Sequence, residues 1–215
     1  SDDAALGANW VGGAPPTLAT HNVLIPVVGT GNYPRVTAIA TVHDITIEAG
    51  ATLNPTTFAV TVTGALTGGG TIISTGNGAI SIGASPSLNN NITTVGGNVT
   101  FTGAVSLTGN VTVSTGAGAG NIAFNSTING ARNLTLSAGT GTNTLSGAIG
   151  GSTPLVNLTV SGAGALALPT TTLTGNLSVT TSGAITDSGA VTVAGTTALA
   201  AGAANNITLD NANDF

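Results

Sequence analysis

The stretch that decides the fold is NVTFTGAVSLTGNVTVSTGAGAGNIAF, residues 98–124. A short unit recurs in it, in which Val, Ile, Leu or Phe alternates with Thr, Ser or Ala, as in Val99-Thr100-Phe101 and Val111-Thr112-Val113. This period of two is typical of half-buried β-strands, and Gly and Asn residues separate the units. No window has the i, i+3, i+4, i+7 apolar spacing of an amphipathic helix. The stretch therefore predicts very short strands joined by tight bends.

The same unit returns along most of the chain. Its thirteen copies begin at residues 45, 60, 80, 99, 105, 111, 122, 134, 158, 166, 177, 191 and 207. The copies at 60, 80, 99 and 122 indicate a coil of about 20 to 23 residues with two or three strands, and hence about nine or ten coils. A sandwich would need longer strands and larger core residues. The pattern predicts an all-β fold, a parallel β-solenoid (β-helix) in which each strand pairs with its equivalent one coil away.

Seven of the units carry Asn immediately before the first apolar residue. They are Asn98, Asn110, Asn121, Asn133, Asn157, Asn176 and Asn206. Asn tolerates bends, and its amide can form hydrogen-bonded ladders between stacked strands. We expect ladders for some of these residues and simple corner positions for the rest. Several also fall in Asn-x-Thr or Asn-x-Ser, but the strand motif itself generates this match to a glycosylation sequon.

Residues 1–42 differ from the remainder. They hold the only Trp and the only Tyr, together with half of the eight prolines, and they lack the recurring unit. Because the terminal apolar rung of a solenoid needs cover, we predict an N-terminal cap or arm over 1–42 and β-solenoid repeats over 43–215. The predicted cap contacts are Trp10, Val23, Ile25 and Tyr33.

The other end remains repeat-like up to Phe215. An uncovered last coil would expose an unpaired sheet edge. We therefore predict an end-to-end assembly edge, covered by head-to-tail self-association or by further repeats of the same chain. Its residues are Asn206, Ile207, Thr208, Leu209 and Phe215. The chain begins at Ser1 without Met or an apolar leader, which we interpret as a mature product from which any signal peptide has been removed.

The composition excludes several classes of function. Charged residues make up 4% of the chain, against about 25% in an average domain. Two basic residues cannot neutralise many phosphates, so we expect no nucleic-acid partner. The chain has no Cys and therefore no disulfides and no thiolate metal sites. No apolar stretch approaches the roughly 20 residues of a membrane-spanning helix, so we expect no spanning segment.

Charged side chains that could carry chemistry are few. The densest group is His43, Asp44 and Glu48, but adjacent residues of a strand face opposite sides and converge only if the chain bends. The side-chain oxygens of Asp210, Asn211, Asn213 and Asp214 are of the type that calcium prefers, without the spacing of a binding loop. We predict no catalytic, metal or cofactor-binding residues and no cofactor. A polysaccharide-cleaving enzyme using Asp44, Glu48 and Asp187 is the remaining enzymatic alternative.

Two sets of segments resemble known bacterial surface proteins. Residues 9–13 with Pro15, and residues 22–26, 33–36 and 44–53, resemble the opening module of large secreted surface proteins of Bacteroidota-type bacteria. Residues 129–136, 154–160 and 209–215 resemble the repeats of giant filamentous-haemagglutinin-type adhesins. The resemblance implies a β-helical rod on the cell surface, and it brings no catalytic residues with it.

We therefore expect a non-enzymatic, secreted or cell-surface structural protein. It would be the stiff rod of a bacterial adhesin, or the subunit of an extracellular filament, in contact with a surface glycan or with another cell. The alternative is an ice- or surface-binding module that uses outward Thr-x-Thr rows. These rows are the residue pairs 61/63, 100/102, 106/108, 112/114, 135/137, 159/161 and 178/180. The uneven unit spacing is expected to scatter the pairs over different faces.

Overall fold

The computed structural model describes residues 18–28 and 33–215, apart from the side chains of residues 84–86. The described residues form short strands and no helix. The strands are β1 (Val23–Ile25), β2 (Ala40–Val42), β3 (Ile45–Ile47), β4 (Thr52–Leu53), β5 (Val60–Gly68), β6 (Thr71–Ile73), β7 (Ile80–Leu88), β8 (Asn91–Thr93), β9 (Val99–Phe101), β10 (Val105–Leu107), β11 (Val111–Ser114), β12 (Ile122–Phe124), β13 (Ile128–Asn129), β14 (Leu134–Ser137), β15 (Asn143–Leu145), β16 (Leu158–Gly162), β17 (Leu166–Leu168), β18 (Thr171–Leu173), β19 (Leu177–Thr181), β20 (Ile185–Asp187), β21 (Val191–Val193), β22 (Thr197–Ala200) and β23 (Ile207–Thr208).

The strand pairs are parallel and join equivalent residues of successive coils. Leu134 pairs with Leu158, and Leu158 pairs with Leu177, so the chain advances by one coil, of slightly different length, at each pairing. It thus winds into a β-solenoid of about nine turns. The predicted fold class is confirmed, and the coil length lies close to the predicted value.

Three faces surround the solenoid axis. Face 1 holds β2, the first part of β5 and of β7, and then β9, β12, β15, β17, β20 and β23. Face 2 holds β1, β3, the second part of β5 and of β7, and then β10, β13, β18 and β21. Face 3 is an eight-stranded sheet of β4, β6, β8, β11, β14, β16, β19 and β22. A typical coil therefore contributes one strand to each face.

The inward side chains form one continuous apolar core. Strands such as β9 and β12 bury their first and third residues and turn the middle one outward, as the alternation predicts. The largest core side chains, Phe101 and Phe124, lie in adjacent coils with their rings stacked at a centroid distance of 4.5 Å. Because core residues contact the coils above and below, each coil depends on its neighbours for stability.

The predicted Asn ladders exist and run along the corners. At the corner before face 3, the Oδ1 atom of Asn110 accepts a hydrogen bond from the Asn133 N–H at 3.0 Å. Asn157 donates from Nδ2 to Oδ1 of Asn133 and accepts the Asn176 N–H, at 2.8 and 2.6 Å. Asn176 in turn accepts the N–H of Thr196. Most of these bonds join a side-chain carbonyl to the backbone of the next coil, which satisfies N–H groups that the bend leaves unpaired.

Replacing Asn157 by alanine removes two ladder bonds and leaves the Asn176 N–H without its acceptor. We expect a loss of about 1–2 kcal/mol in the free energy of unfolding, measured by urea denaturation. The matched control is Asn125→Ala, because Asn125 is exposed and its side chain makes no hydrogen bond within the described residues. Equal effects of the two substitutions would contradict a stabilising role for the ladder.

Candidate functional site

Face 3 carries the most regular set of polar side chains on the solenoid. Strands β11, β14, β16 and β19 are four or five residues long, so each turns two side chains outward. The four strands pair in register without a shift. Their outward residues form two parallel columns, which we call the hydroxyl array. The first column is Thr112, Thr135, Thr159 and Ser178, and the second is Ser114, Ser137, Ser161 and Thr180.

The expectation that uneven spacing scatters the Thr-x-Thr pairs was wrong for four of the seven. Coil length does vary here, but the variation is absorbed at the bends, while strands on face 3 keep one register. The other three pairs do lie elsewhere. Thr61 and Thr100 belong to face 1, and Ser106 pairs with Asn129 on face 2.

Most hydroxyls of the array are free to bind an external group. Within the described residues, the Thr112, Thr135 and Thr159 hydroxyls make no intramolecular hydrogen bond. In the second column, Ser161 donates a long bond of 3.4 Å to the Leu136 carbonyl, and Ser114 accepts the Gly116 N–H at 3.2 Å. The array is therefore a rigid lattice of donors and acceptors whose first column faces solvent unpaired.

The predicted acidic group is brought together only in part. His43 and Asp44 lie in a bend between β2 and β3, so their side chains meet, with His43 Nδ1 3.1 Å from Asp44 Oδ2. The Ala65 N–H donates a hydrogen bond to Asp44 at 2.8 Å, and this bond is the main reason why the pKa of Asp44 is lowered. Partial desolvation raises the pKa, and the contact with His43 lowers it. Glu48 accepts the N–H of Val27 instead. In the described part of the chain, no three His, Asp or Glu side chains are placed to hold a metal ion.

Asp187 has a structural role that the sequence analysis missed. Its carboxylate accepts the N–H groups of Asp210 and Asn211, at 3.0 and 3.1 Å, and the Asn213 side-chain amide at 2.7 Å. Desolvation raises the pKa of Asp187, but these hydrogen bonds outweigh it and the pKa is lowered overall. The signal in the sequence was the spacing: Asp187 stands about one coil before residues 210–213, as the ladder Asn residues do.

These two carboxylates make the stability sensitive to acid. Because the pKa of Asp44 and of Asp187 is lowered on folding, their contribution is present above the ordinary aspartate pKa and is lost as the pH falls through the folded value. We expect the urea midpoint to fall below about pH 4. The double variant Asp44→Asn, Asp187→Asn should show a shallower fall. Asp210→Asn is the control, since the Asp210 carboxylate accepts no hydrogen bond within the described residues, and an equal change there would contradict the assignment.

The predicted assembly edge lies on the outermost described coil. Ile207 in β23 is 44% exposed, whereas its partner one coil inward, Ile185, is fully buried. Asn206, Thr208 and Phe215 are exposed as well, and Leu209 is half-buried. The strand thus presents an unpaired edge and an exposed apolar side chain.

The predicted cap contacts occupy the first described rungs. Val23 and Ile25 are buried in β1, which pairs in register with β3. Tyr33 is half-buried against the core, and its hydroxyl donates to the Gly50 carbonyl at 2.8 Å. Trp10 lies outside the described residues. The boundary at residue 42 stays a prediction, and β1 and β2 before it already pair with strands of the repeats.

Comparisons with known proteins support the repeat character. Residues 155–215, which contain β16 to β23, match a family described as repeats of unknown function (DUF5649). No curated protein and no solved structure matches the chain. Among the described residues there is no helix of the length and apolarity needed to cross a membrane. The chain is therefore a repeat protein with a β-solenoid fold, and its last coils are similar to a family of repeats.

Proposed function

We propose that the chain is a non-enzymatic extracellular structural protein, a stiff rod that holds other parts of a bacterial surface adhesin or filament apart. The observation that carries this proposal is the stacking of about nine turns around one apolar core, with parallel strand pairing between successive turns. Each internal coil is hydrogen-bonded to both neighbours, which favours resistance to bending and to proteolysis.

Strand pairing continues on one face where it is interrupted on another. The hydrogen-bonded ladder of face 1 is interrupted between β15 and β17. At the same level, β14 and β16 pair over four residues on face 3, and Ile149 links Ile128 to Thr171 on face 2. An interruption on one face is therefore bridged by the other two.

The proposed lack of catalysis and the proposed location depend on composition and resemblance. Charged residues make up 4% of the chain, and the His43–Asp44 contact is exposed, without a third His, Asp or Glu placed beside it in the described residues. This supports a protein without catalytic activity. The resemblance to Bacteroidota-type surface modules and to filamentous-haemagglutinin-type repeats supports secretion and display on the cell surface.

The finer proposal is end-to-end assembly through β23. A further three-strand coil, from a second copy or from further repeats of the same chain, would pair with β23 and bury Ile207 as the coils within the rod bury Ile185. A coil added at β23 would make the same parallel strand pairing that adjacent coils of the rod already make, so no new kind of contact is needed.

Small-angle scattering and electron microscopy test these proposals. The isolated chain should scatter as a rod on the order of 45 Å long, because each coil adds about 4.8 Å. A compact, near-spherical particle would overturn the rod. Long filaments with an axial repeat near one rod length would support a polymerising subunit. Rods that stay monomeric would overturn the polymerising subunit and leave the proposal that the chain is the stalk of a longer protein.

A second candidate function is favoured by one observation, the hydroxyl array of face 3. An in-register lattice of Thr and Ser on one sheet suits a module that binds ice or another flat, ordered surface. A rod and a binding module are compatible, because the array occupies only one of three faces.

A further inference from the structure

We propose that the hydroxyl array is an ice-binding surface, with a footprint limited to the four coils that contain β11, β14, β16 and β19. This inference rests on the second of the two proposed functions and assigns its ligand and its residues. The ligand is water in an ordered lattice, held by hydroxyl groups whose spacing the backbone fixes.

The spacing of the array is set by the sheet itself. Neighbouring strands lie about 4.8 Å apart, and outward residues two positions apart on one strand lie about 6.6 Å apart. The in-register pairing of Thr112, Thr135 and Thr159 therefore repeats one hydroxyl and one methyl group at a constant interval. β-branched Thr also has few χ1 rotamers, so little side-chain entropy is lost when its hydroxyl engages a ligand.

The borders of the footprint are visible on face 3. On one side the first column reaches Asn91, whose Oδ1 atom is already used by the Thr112 N–H, and the second column passes through Thr93 to the exposed Ile73. On the other side the columns end at Ala198 and Ala200 of β22, which have no hydroxyl. Nine outward hydroxyls lie between these borders, the eight of the array and Thr93, which has no hydroxyl beside it in the first column.

Face 1 shows what a less suitable surface looks like. Its strands are mostly three residues long and offer one outward position each. That single column holds hydroxyls on four consecutive coils, at Thr41, Thr61, Ser81 and Thr100, and Ala123 then interrupts it before Thr144. Face 3 therefore presents two unbroken columns where face 1 presents one broken column.

Ordered water is favoured over a polysaccharide surface by side-chain type. Flat sugar rings are usually recognised by stacking on aromatic side chains, and the outward positions of β11, β14, β16 and β19 hold only Thr and Ser. The array has no charged group, so it also offers nothing to an ionic polymer.

The experiment measures thermal hysteresis and incorporation into a growing ice hemisphere. The unaltered chain should show both, and the double variant Thr135→Tyr, Thr159→Tyr should lose both. The matched control is Thr144→Tyr, Thr186→Tyr, which places the same side chains at exposed outward positions of face 1 and should retain both activities. Circular dichroism and thermal unfolding verify the fold of each variant.

A variant that is expected to gain activity tests the proposal even if the tyrosine variants lose activity because they fail to fold. Ala198→Thr, Ala200→Thr extends both columns by one coil and should increase the hysteresis, whereas Ala123→Thr, Ala167→Thr on face 1 should not. Binding to crystalline cellulose without ice activity would overturn ice as the ligand and leave the second proposed function standing, whereas binding to neither surface would overturn both. Ice activity that survives the face 3 variants would overturn the footprint alone.

Discussion

Phe124→Ala is expected to lower the free energy of unfolding by about 3–5 kcal/mol, the usual cost of truncating a buried aromatic side chain. Phe124 is 1% exposed and stacks on Phe101 of the coil before it. The cavity would lie between two coils, so both lose core contacts at once. Urea denaturation followed by circular dichroism measures the loss.

The control for this prediction is Thr144→Ala, an exposed outward position on the next strand of the same face, with an expected change within about 0.5 kcal/mol. Hydrogen exchange adds a second readout. Because coils interact mainly with their neighbours, amides of β9, β12 and β15 should lose protection while those of β19 to β22 keep it. A uniform loss along the rod, or a loss below about 1 kcal/mol, would contradict the nearest-neighbour description.

Gly68→Ala is expected to cost about 3 kcal/mol or more, since two penalties act at one position. Gly68 has a φ of 93°, which alanine rarely adopts, and an added Cβ would collide with the backbone oxygen of Ile47 in the coil before it. The residue ends β5, where the chain leaves face 2, so the strain falls on the pairing of β3 with β5. Thermal unfolding should show a clear fall in Tm.

Substitutions at two other glycines separate the backbone penalty from the steric penalty. Gly96 has a φ of 80°, but an added methyl group would make only ordinary van der Waals contact, the nearest atom lying 3.7 Å away, so Gly96→Ala reports the backbone penalty alone. That penalty is about 1–2 kcal/mol. Gly151→Ala meets no atom closer than 3.7 Å and carries no positive φ, so it should change little. If Gly68→Ala were no worse than Gly96→Ala, close coil-to-coil approach would not be the cause.

The sequence predicts the strands well because their signal is local. The alternation in Val111-Thr112-Val113 needs only its own few residues to define an inward and an outward side, and the same holds for each repeat. The Asn residues at the corners were predictable for the same reason, since a bend and an amide ladder both favour Asn at the same position.

The hydroxyl array was not predictable, because it depends on register over long separations. Thr135 and Thr159 are farther apart along the chain than Thr159 and Ser178, so no single period aligns all three. The alignment arises because the bends absorb the differences in coil length. The conformations of these bends do not follow a simple pattern in the sequence. The contact of His43 with Asp44 has a similar origin, since it depends on a bend between two strands that the alternation alone does not indicate.

The coil-by-coil pairing also determines how the rod responds to tension. Hydrogen bonds between coils run along the axis, and a pull on the two ends loads those of the outermost coil first. The rod would therefore yield one coil at a time, each coil of about 20 residues releasing roughly 70 Å of extended chain. Such a molecule holds its length under sideways load and lengthens in successive steps under axial load, which would dissipate the force of a sudden pull on whatever the rod connects.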